Sequence, residues 1–305
     1  DFVVKPDGLT GGKGVRVLGE HLASIEVAYD YAAGLIAQGG RVVIEERLQG
    51  EEFSLQSITD GSAVAHCPPV QDHKRAYEGD NGPNTGGMGS YSDADLSLPF
   101  LSGADLQAAQ AINEAVVQAL EMETGESYRG VLYGGFMATT DGVRLIEYNC
   151  RFGDPEAMNV LPLLRTDFVE ICWAVAQGRL SELRVDFDAK ATVCKYVVPE
   201  MYPTGSSHGE EIRVPAALLS DSRVRCYWAA VNAEGPQVMM TGSRALAVVG
   251  LGDSLDEAER HAERAASMVE GPLRHRRDIG TRSLVESRVA HMRELRGGQR
   301  KDRPA

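Results

Sequence analysis

The stretch from Ile146 to Asn159, IEYNCRFGDPEAMN, packs Glu147, Asn149, Arg151, Asp154 and Glu156 into ten residues. A strand end needs far less polar chemistry than this in order to fold. If VRLIEYNCR is extended, the two-residue period sets Leu145, Glu147, Asn149 and Arg151 on one face. An acid, an amide and a guanidinium then stand in line. Mg2+ prefers oxygen ligands and takes one or two carboxylates together with phosphate oxygens, a demand that Glu147 and Asn149 meet. Arg151, one step further on, can reach a phosphoryl group or a developing oxyanion with its planar fork of donors. A strand-end ion pair of Arg151 with Asp154 is the plain alternative, and it accounts for two of the five groups. Glu156, which follows Pro155, reads as an acid at a helix N-terminus.

Near the start, GLTGGKG invites comparison with a P-loop. That motif needs four residues between its first Gly and the Gly-Lys pair, then Ser or Thr. Here three residues separate Gly8 from Gly12, and Gly14 follows Lys13. The flanks FVVKP and VRVL also make this loop the tip of a β-hairpin, whereas a P-loop runs from strand into helix. A glycine tip containing Gly12 and Gly14 can still close over nucleotide phosphates with bare backbone N–H groups, and Lys5 and Lys13 supply positive charge. An ordinary surface hairpin is the alternative. Further on, VVIEERLQGEEFS ends a strand in Glu45-Glu46. Such a segment can offer backbone groups to a flat base edge, with Glu52 accepting from ribose hydroxyls. A solvated acidic rim explains the same residues without a ligand.

The elements that must hold these groups follow from periodicity. Up to about Leu55 the order is strand, glycine loop, strand, helix, strand, with Ser24 as N-cap and an apolar stripe of Ile25, Ala28, Tyr29, Ala32, Leu35 and Ile36. A hairpin turns at Asp60-Gly61. The polar run DHKRAYEGDNGPNTGGMGSYS then reads as a structureless functional loop to about Asp93. An alanine-rich helix spans about Leu101 to Met122, a second hairpin turns at Asp141-Gly142, and a helix runs from about Asp167 to Gln177, ending near Gly178. From about Phe187 short β-type runs precede a charged helix, SLDEAERHAERAASMVE, and this reads as a separate α+β domain. The basic tail from Arg274 reads as a solvated helix face.

Composition narrows the function. With 31 basic against 44 acidic side chains in 305 residues, the net charge of −13 repels nucleic-acid phosphates and favours small-molecule chemistry. No run of about 18 apolar residues is present to span a bilayer, and no basic-then-apolar leader is seen, so the cytoplasm is the expected compartment. Cys67, Cys150, Cys172, Cys194 and Cys226 are scattered without a C-x-x-C pair, and read as small core residues. The chain opens on DFVVKPDG without an initiator Met, turn or cap, which reads as a piece of a longer protein.

Taken in order, VVKPDGLTGGKGV, VIEERLQGEEFS, QDHKRAYEGDNGPNTGGMGSYS, RGVLYGGFM and IEYNCRFGDPE resemble the glycinamide ribonucleotide synthetase family of the ATP-grasp superfamily. The likeness extends through RALAVVGLGDSLDEAERHAERA and RRDIG, and so covers nearly the whole chain. QDHKR, GPNTGGMG and NCRFGDPE carry the specificity, whereas the lysine-glycine loop marks only the superfamily.

The resemblance implies an α+β ATP-grasp fold in which two lobes clasp ATP, here 1–56 and 57–186, followed by a smaller α+β domain, 187–305. It implies a cytoplasmic ligase joining glycine to 5-phosphoribosylamine through glycyl phosphate, with ATP and Mg2+ (or Mn2+), as a monomer or weak homodimer. By matching position, Lys5, Gly12, Lys13 and Gly14 would contact ATP phosphates, Glu45, Glu46 and Leu48 adenine, and Glu52 ribose. Glu147 and Asn149 would hold the metal. Asp72, Lys74, Arg75, Thr85, Gly86 and Gly87 would line the acceptor site, with Arg151 and Asp154 near the reacting phosphoryl and amine. Two departures stand out. The family's amino-terminal domain, with its GGREH-like loop, is not matched, and Lys195 and Glu200 in TVCKYVVPEMYPTG have no family role. A nucleotide-binding module without turnover and another ATP-grasp carboxylase or ligase are the alternative readings.

Overall fold

The structure, a computed structural model, describes residues 1–8, 10, 14–205 and 208–298. The chain divides into two compact units, residues 1–49 and 50–305. In the first, β1 (Phe2–Pro6) is flanked by β2 (Arg16–Val17) and β3 (Val42–Glu46), all antiparallel, so the glycine loop does leave and re-enter through hairpin strands. Gly12 and Lys13 themselves lie outside the described residues. Helix α1 (Ile25–Ala37) starts where Ser24 Oγ accepts from Val27 N, as its position before the apolar stripe requires. Val4, Leu22 and Ala28 form the core, backed by Phe2, Leu18, Tyr31 and Ala32. Ile25, Tyr29 and Ile36 stay exposed, because the face turned to this three-stranded sheet is the narrow one carrying Ala28, Tyr31 and Ala32.

The second unit begins with β4 (Glu51–Thr59), then β5 (Val64–His66), β6 (Gln71–Asp72), β7 (Arg75–Tyr77), β8 (Asn81–Asn84) and β9 (Gly89–Ser92). Next come α2 (Gly103–Thr124), the hairpin β10 (Gly130–Thr139) and β11 (Gly142–Asn149), α3 (Ala157–Val160) and α4 (Phe168–Gln177). The remainder comprises β12 (Ala191–Pro199), β13 (His208–Glu211), α5 (Ala216–Leu219), β14 (Val224–Trp228), β15 (Val231–Glu234), β16 (Gln237–Thr241), β17 (Leu246–Gly252), α6 (Leu255–Ala266), β18 (Leu273–Arg274) and α7 (Arg282–Gly298). A four-stranded sheet has the order β11-β10-β4-β5, and a six-stranded one contains β14-β17-β12-β9-β6 with β18 also on β12. Smaller sheets are β13-β16-β15 and the isolated pair β7-β8. The expected bounds of α4 hold at Asp167 and Gly178, and α2 opens on a reciprocal capping box of Ser102 and Asp105.

Four expectations need correction. The first lobe does not extend to residue 56, because β4 is one continuous strand paired with β10 from Ala138↔Glu51 to Gly130↔Thr59. The expected separate domain, 187–305, is not a compact unit of its own but part of the one spanning 50–305. β12, buried along its whole length, sits between β17 and β9, so the carboxy-terminal strands and residues 71–92 share one sheet. The run to Asp93 is not structureless. Gln71, Ser90 and Ser92 are buried polar strand residues whose partners are distant in sequence, so no local apolar alternation betrays them. Finally, Cys67 and Cys194 are core residues and Cys226 is half-buried, whereas Cys150 and Cys172 are exposed. Among the described residues no helix is long and apolar enough to cross a membrane.

Candidate active site

In the second unit, strand register assembles one polar face. Gln56 pairs with Tyr133, Ser54 with Gly135 and Glu52 with Met137, while Glu147 and Asn149 sit opposite Gly135 and Tyr133. Period-two alternation therefore puts Glu52, Gln56, Tyr133, Glu147 and Asn149 together. It does not hold further back along β11. A bulge at Ile146 sets Leu145 opposite Phe136, on the other face from Glu147. Arg151 falls beyond the strand end and is exposed, and its Nη1 donates 2.9 Å to Phe152 O. The alternative pairing of Arg151 with Asp154 does not form.

Asp154 is held instead from the carboxy-terminal strands. Tyr196 Oη donates 2.6 Å to its Oδ1, and Arg244 Nη2 donates 2.9 Å to its Oδ2. Arg244 lies over the Tyr196 ring at 4.4 Å, and its Nη1 donates to Gly86 O at 2.8 Å and Gly87 O at 3.0 Å. One guanidinium thus ties the Thr85–Gly87 turn to Asp154. The turn is closed by Thr85, whose N and Oγ1 both donate to Lys74 O at 2.7 and 2.8 Å. At Gly87, φ is +108°, and a Cβ would lie 2.5 Å from Pro155 Cδ and 2.7 Å from Asp72 Oδ1. Only glycine lets these three segments meet.

Glu156 is buried. It stands at the N-terminus of α3, as expected, but makes no capping bond: Tyr133 Oη donates 2.8 Å to its Oε1, and the side chain turns inward. Gln56 Oε1 accepts from Gly153 N at 2.7 Å, which fixes the same loop to β4. Burial and then Glu156 push the Asp72 carboxyl up, and its Oδ1 is buried without a hydrogen-bond partner. Burial also raises Glu156, against the pull of Tyr133 and Lys74. Lys74 is held above the usual lysine range first by Glu52, with which it pairs at 3.0 Å, and further by Asp72 and Glu147. A cation therefore bridges the strand face to a carboxyl cluster. Arg75 turns into its own hairpin, donating 2.9 Å to Gly82 O.

Glu147 and Asn149 suit a hard cation. Both side chains are free of hydrogen bonds and ion pairs to other described residues, they share a face, and they offer oxygen. Among the described residues no cluster of three or more His, Cys, Asp or Glu can hold a metal by itself. An ion here would need further oxygens from a substrate, the usual arrangement for Mg2+ with phosphates. In the first unit, Lys5 is ion-paired with Glu45, its diagonal neighbour across β1 and β3, Glu46 is exposed and Leu48 half-buried. Gly14 O accepts 2.8 Å from Tyr31 Oη.

Sequence reasoning missed Tyr133, Tyr196 and Arg244. The double glycine after Tyr133 was the one local signal. Tyr196 lies in an apolar strand and Arg244 just ahead of one, with nothing to mark them.

His73, between Asp72 and Lys74, is buried, and neither ring nitrogen has a hydrogen-bond partner. Burial pushes its imidazole down to about 3, with Arg276 and Arg288 adding to that effect and Asp80 and Asp278 opposing it. The folded value lies below the unfolded one. The stability of the neutral ring is therefore complete above about 6.5 and drains away as pH falls toward the folded value. The expected loss on this account is about 2 kcal/mol between pH 7 and pH 5. His73→Phe should shrink the loss measured by urea unfolding over that range by this amount. Equal losses in both proteins would remove His73 as the source.

The family model for phosphoribosylglycinamide synthetase, ATP-grasp (A) domain, matches residues 1–157, and that for the C domain of the same synthetase matches 192–282. The phosphoribosylamine–glycine ligase of Methanosarcina acetivorans is 51% identical over 299 residues, 98% of this chain and 66% of the relative. That of Methanothermobacter thermautotrophicus is 53% identical over 300 residues, 97% of this chain and 68% of the relative. The chain thus spans about two thirds of the length of these curated relatives. The crystal structure of phosphoribosylamine–glycine ligase from Thermotoga maritima superposes with a TM-score of 0.77 at 31% identity, covering 91% of this chain and 68% of that one. A biotin carboxylase domain of the Hydrogenobacter thermophilus 2-oxoglutarate carboxylase reaches 0.62 at 16% identity, covering 97% and 62%, a likeness of fold alone. The chain is α+β, has the ATP-grasp fold, and belongs to the phosphoribosylamine–glycine ligase family.

Proposed function

We propose that this chain carries out the ligation named for its relatives: glycine is joined to 5-phosphoribosylamine at the expense of ATP. The observation that supports this most is the meeting of three segments in the second unit. The Glu147/Asn149 face, the segment carrying Asp72 and Lys74, and the Thr85–Gly87 turn meet the loop that carries Asp154 and Glu156. A glycine carboxylate oxygen attacks the γ-phosphorus, ADP leaves, and the ribosylamine nitrogen then displaces phosphate from glycyl phosphate, losing a proton. Chemistry of this kind depends on positioning and charge neutralisation.

Glu147 and Asn149 would hold Mg2+ (or Mn2+), which when bound neutralises charge on the phosphates. Lys74 stabilises negative charge beside that face. Arg151, exposed at the strand end, would swing toward a phosphoryl oxygen. Asp154, oriented by Tyr196 and Arg244, supplies a carboxylate toward which an amine is drawn, and Asp72 adds a carboxyl oxygen, Oδ1, still free to accept. Lys5 and Gly14, with Gly12 and Lys13, take the ATP phosphates, Glu45, Glu46 and Leu48 the adenine, and Glu52 the ribose. Lys5 and Glu52 must exchange their present ion-pair partners to do so.

The test is phosphate release with ATP, Mg2+, glycine and freshly made phosphoribosylamine. Release that requires both glycine and the amine is expected. Tight ATP binding without release would point to a nucleotide-binding module, and release that depends on bicarbonate to a carboxylase.

A further inference from the structure

The basic stretch Arg274–Asp278 is not a solvated helix face. It is an extended strap preceding α7, and Arg276 is among the most deeply buried side chains of the protein. What it grips is the β7–β8 hairpin. Arg276 Nη1 donates to Arg75 O at 3.0 Å and Asp80 Oδ1 at 2.9 Å, while its Nε and Nη2 are held by Asp278. Asp278 Oδ2 in turn accepts from Gly79 N at 2.9 Å, and Arg277 N donates to Glu78 Oε1 at 3.3 Å. Arg274 donates 2.8 Å to Ala76 O and lies 4.8 Å over the Tyr77 ring. Helix α7 adds Arg288, which pairs with Asp80.

The hairpin depends on this grip. β7 and β8 form a sheet of two strands only, with an irregular register, and β8 is exposed along its length. A lone two-stranded hairpin is at best marginal in water. Its turn also places Asp80, which is not glycine, at φ +54°, a conformation that costs energy unless the surroundings impose it. Here Arg276 and Arg288 impose it by holding the Asp80 carboxylate. At its two ends the hairpin carries Lys74 and Thr85, which are bonded to each other, and through Thr85 it carries the Gly86–Gly87 turn.

We propose that Arg276 is a positioning residue for the amine-acceptor side of the site: by clamping the β7–β8 hairpin it fixes Lys74 and the Thr85–Gly87 turn without touching substrate itself. The proposal rests on the ligase reading above. Lysine at this position keeps the charge but has one donor group in place of the planar fork, so it cannot bond Arg75 O, Asp80 and Asp278 together. Asp80→Asn, at a part-exposed position, loosens the same clamp from the other side with less risk to folding.

The experiment is steady-state kinetics of Arg276→Lys and Asp80→Asn, varying phosphoribosylamine and ATP separately, with the thermal midpoint measured alongside. Misplacement of the acceptor loop should raise the apparent KM for the amine at least about tenfold in both variants, with the KM for ATP within about twofold of wild type. An active wild type whose variants keep the amine KM overturns the proposal alone. So do variants in which both KM values and the thermal midpoint change together, since that is a purely structural effect. An inactive wild type overturns the ligase reading, and this proposal with it.

Discussion

Glu147→Gln is expected to lower Mg2+-dependent phosphate release by about 10²–10³-fold, the range seen when one preorganised charge-stabilising group is removed. The carboxamide preserves shape and removes the charge that a hard cation needs. Stability should change by no more than about 0.5 kcal/mol, because Glu147 is exposed and bonded to no other described residue. The effect should appear as a loss of the Mg2+-dependent part of ATP affinity in titrations with and without the metal. Equal Mg2+-dependent affinity in the two proteins would exclude Glu147 as a ligand.

The second large effect lies away from the site. Lys195 is fully buried, and its ammonium donates to Glu259 Oε1 at 2.8 Å, Glu263 Oε2 at 2.7 Å and Arg277 O at 2.7 Å, so all three N–H bonds are used. Burial alone would raise the Glu263 carboxyl, but Lys195 and His275 outweigh it and hold the group below the usual range. Lys195→Met strands carboxylates that were paired, and breaking a buried pair typically costs 3–5 kcal/mol. Glu263 is partly exposed and keeps His275, so a loss of about 3 kcal/mol is expected. Exchanging Lys195, Glu259 and Glu263 together for apolar residues should recover most of it. Urea unfolding decides the matter: a loss under about 1 kcal/mol for the single variant would show that the ammonium is dispensable.

How far the sequence could be read follows the range of the interactions. Helix ends, hairpin turns and helices were legible because their signals are local: Ser24, Asp167, Gly178 and the Asp60-Gly61 and Asp141-Gly142 turns each act within a few residues. The Glu147/Asn149 face was legible for the same reason, until the bulge at Ile146 broke the period that had also included Leu145. What escaped was long-range. Tyr196 and Arg244 reach Asp154 across 42 and 90 residues, and no periodicity encodes such a meeting. Lys195 looked anomalous for lack of its partners on α6. The basic residues at 274–278 looked solvated because their acceptors lie roughly 200 positions earlier in the chain.

The ladder in which β12 joins β9 also bears on inheritance. The two family models meet this chain in separate segments, 1–157 and 192–282, as though either could be exchanged. Yet Thr192 through Lys195 lie opposite Ser92 through Gly89, rung for rung. A chain that lost or swapped its carboxy-terminal segment would leave β9 as a bare edge, with unpaired N–H and C=O groups inviting pairing with other chains. The two segments are therefore joined in one sheet. A recombination point between them would have to preserve that register before any new chemistry could be tried.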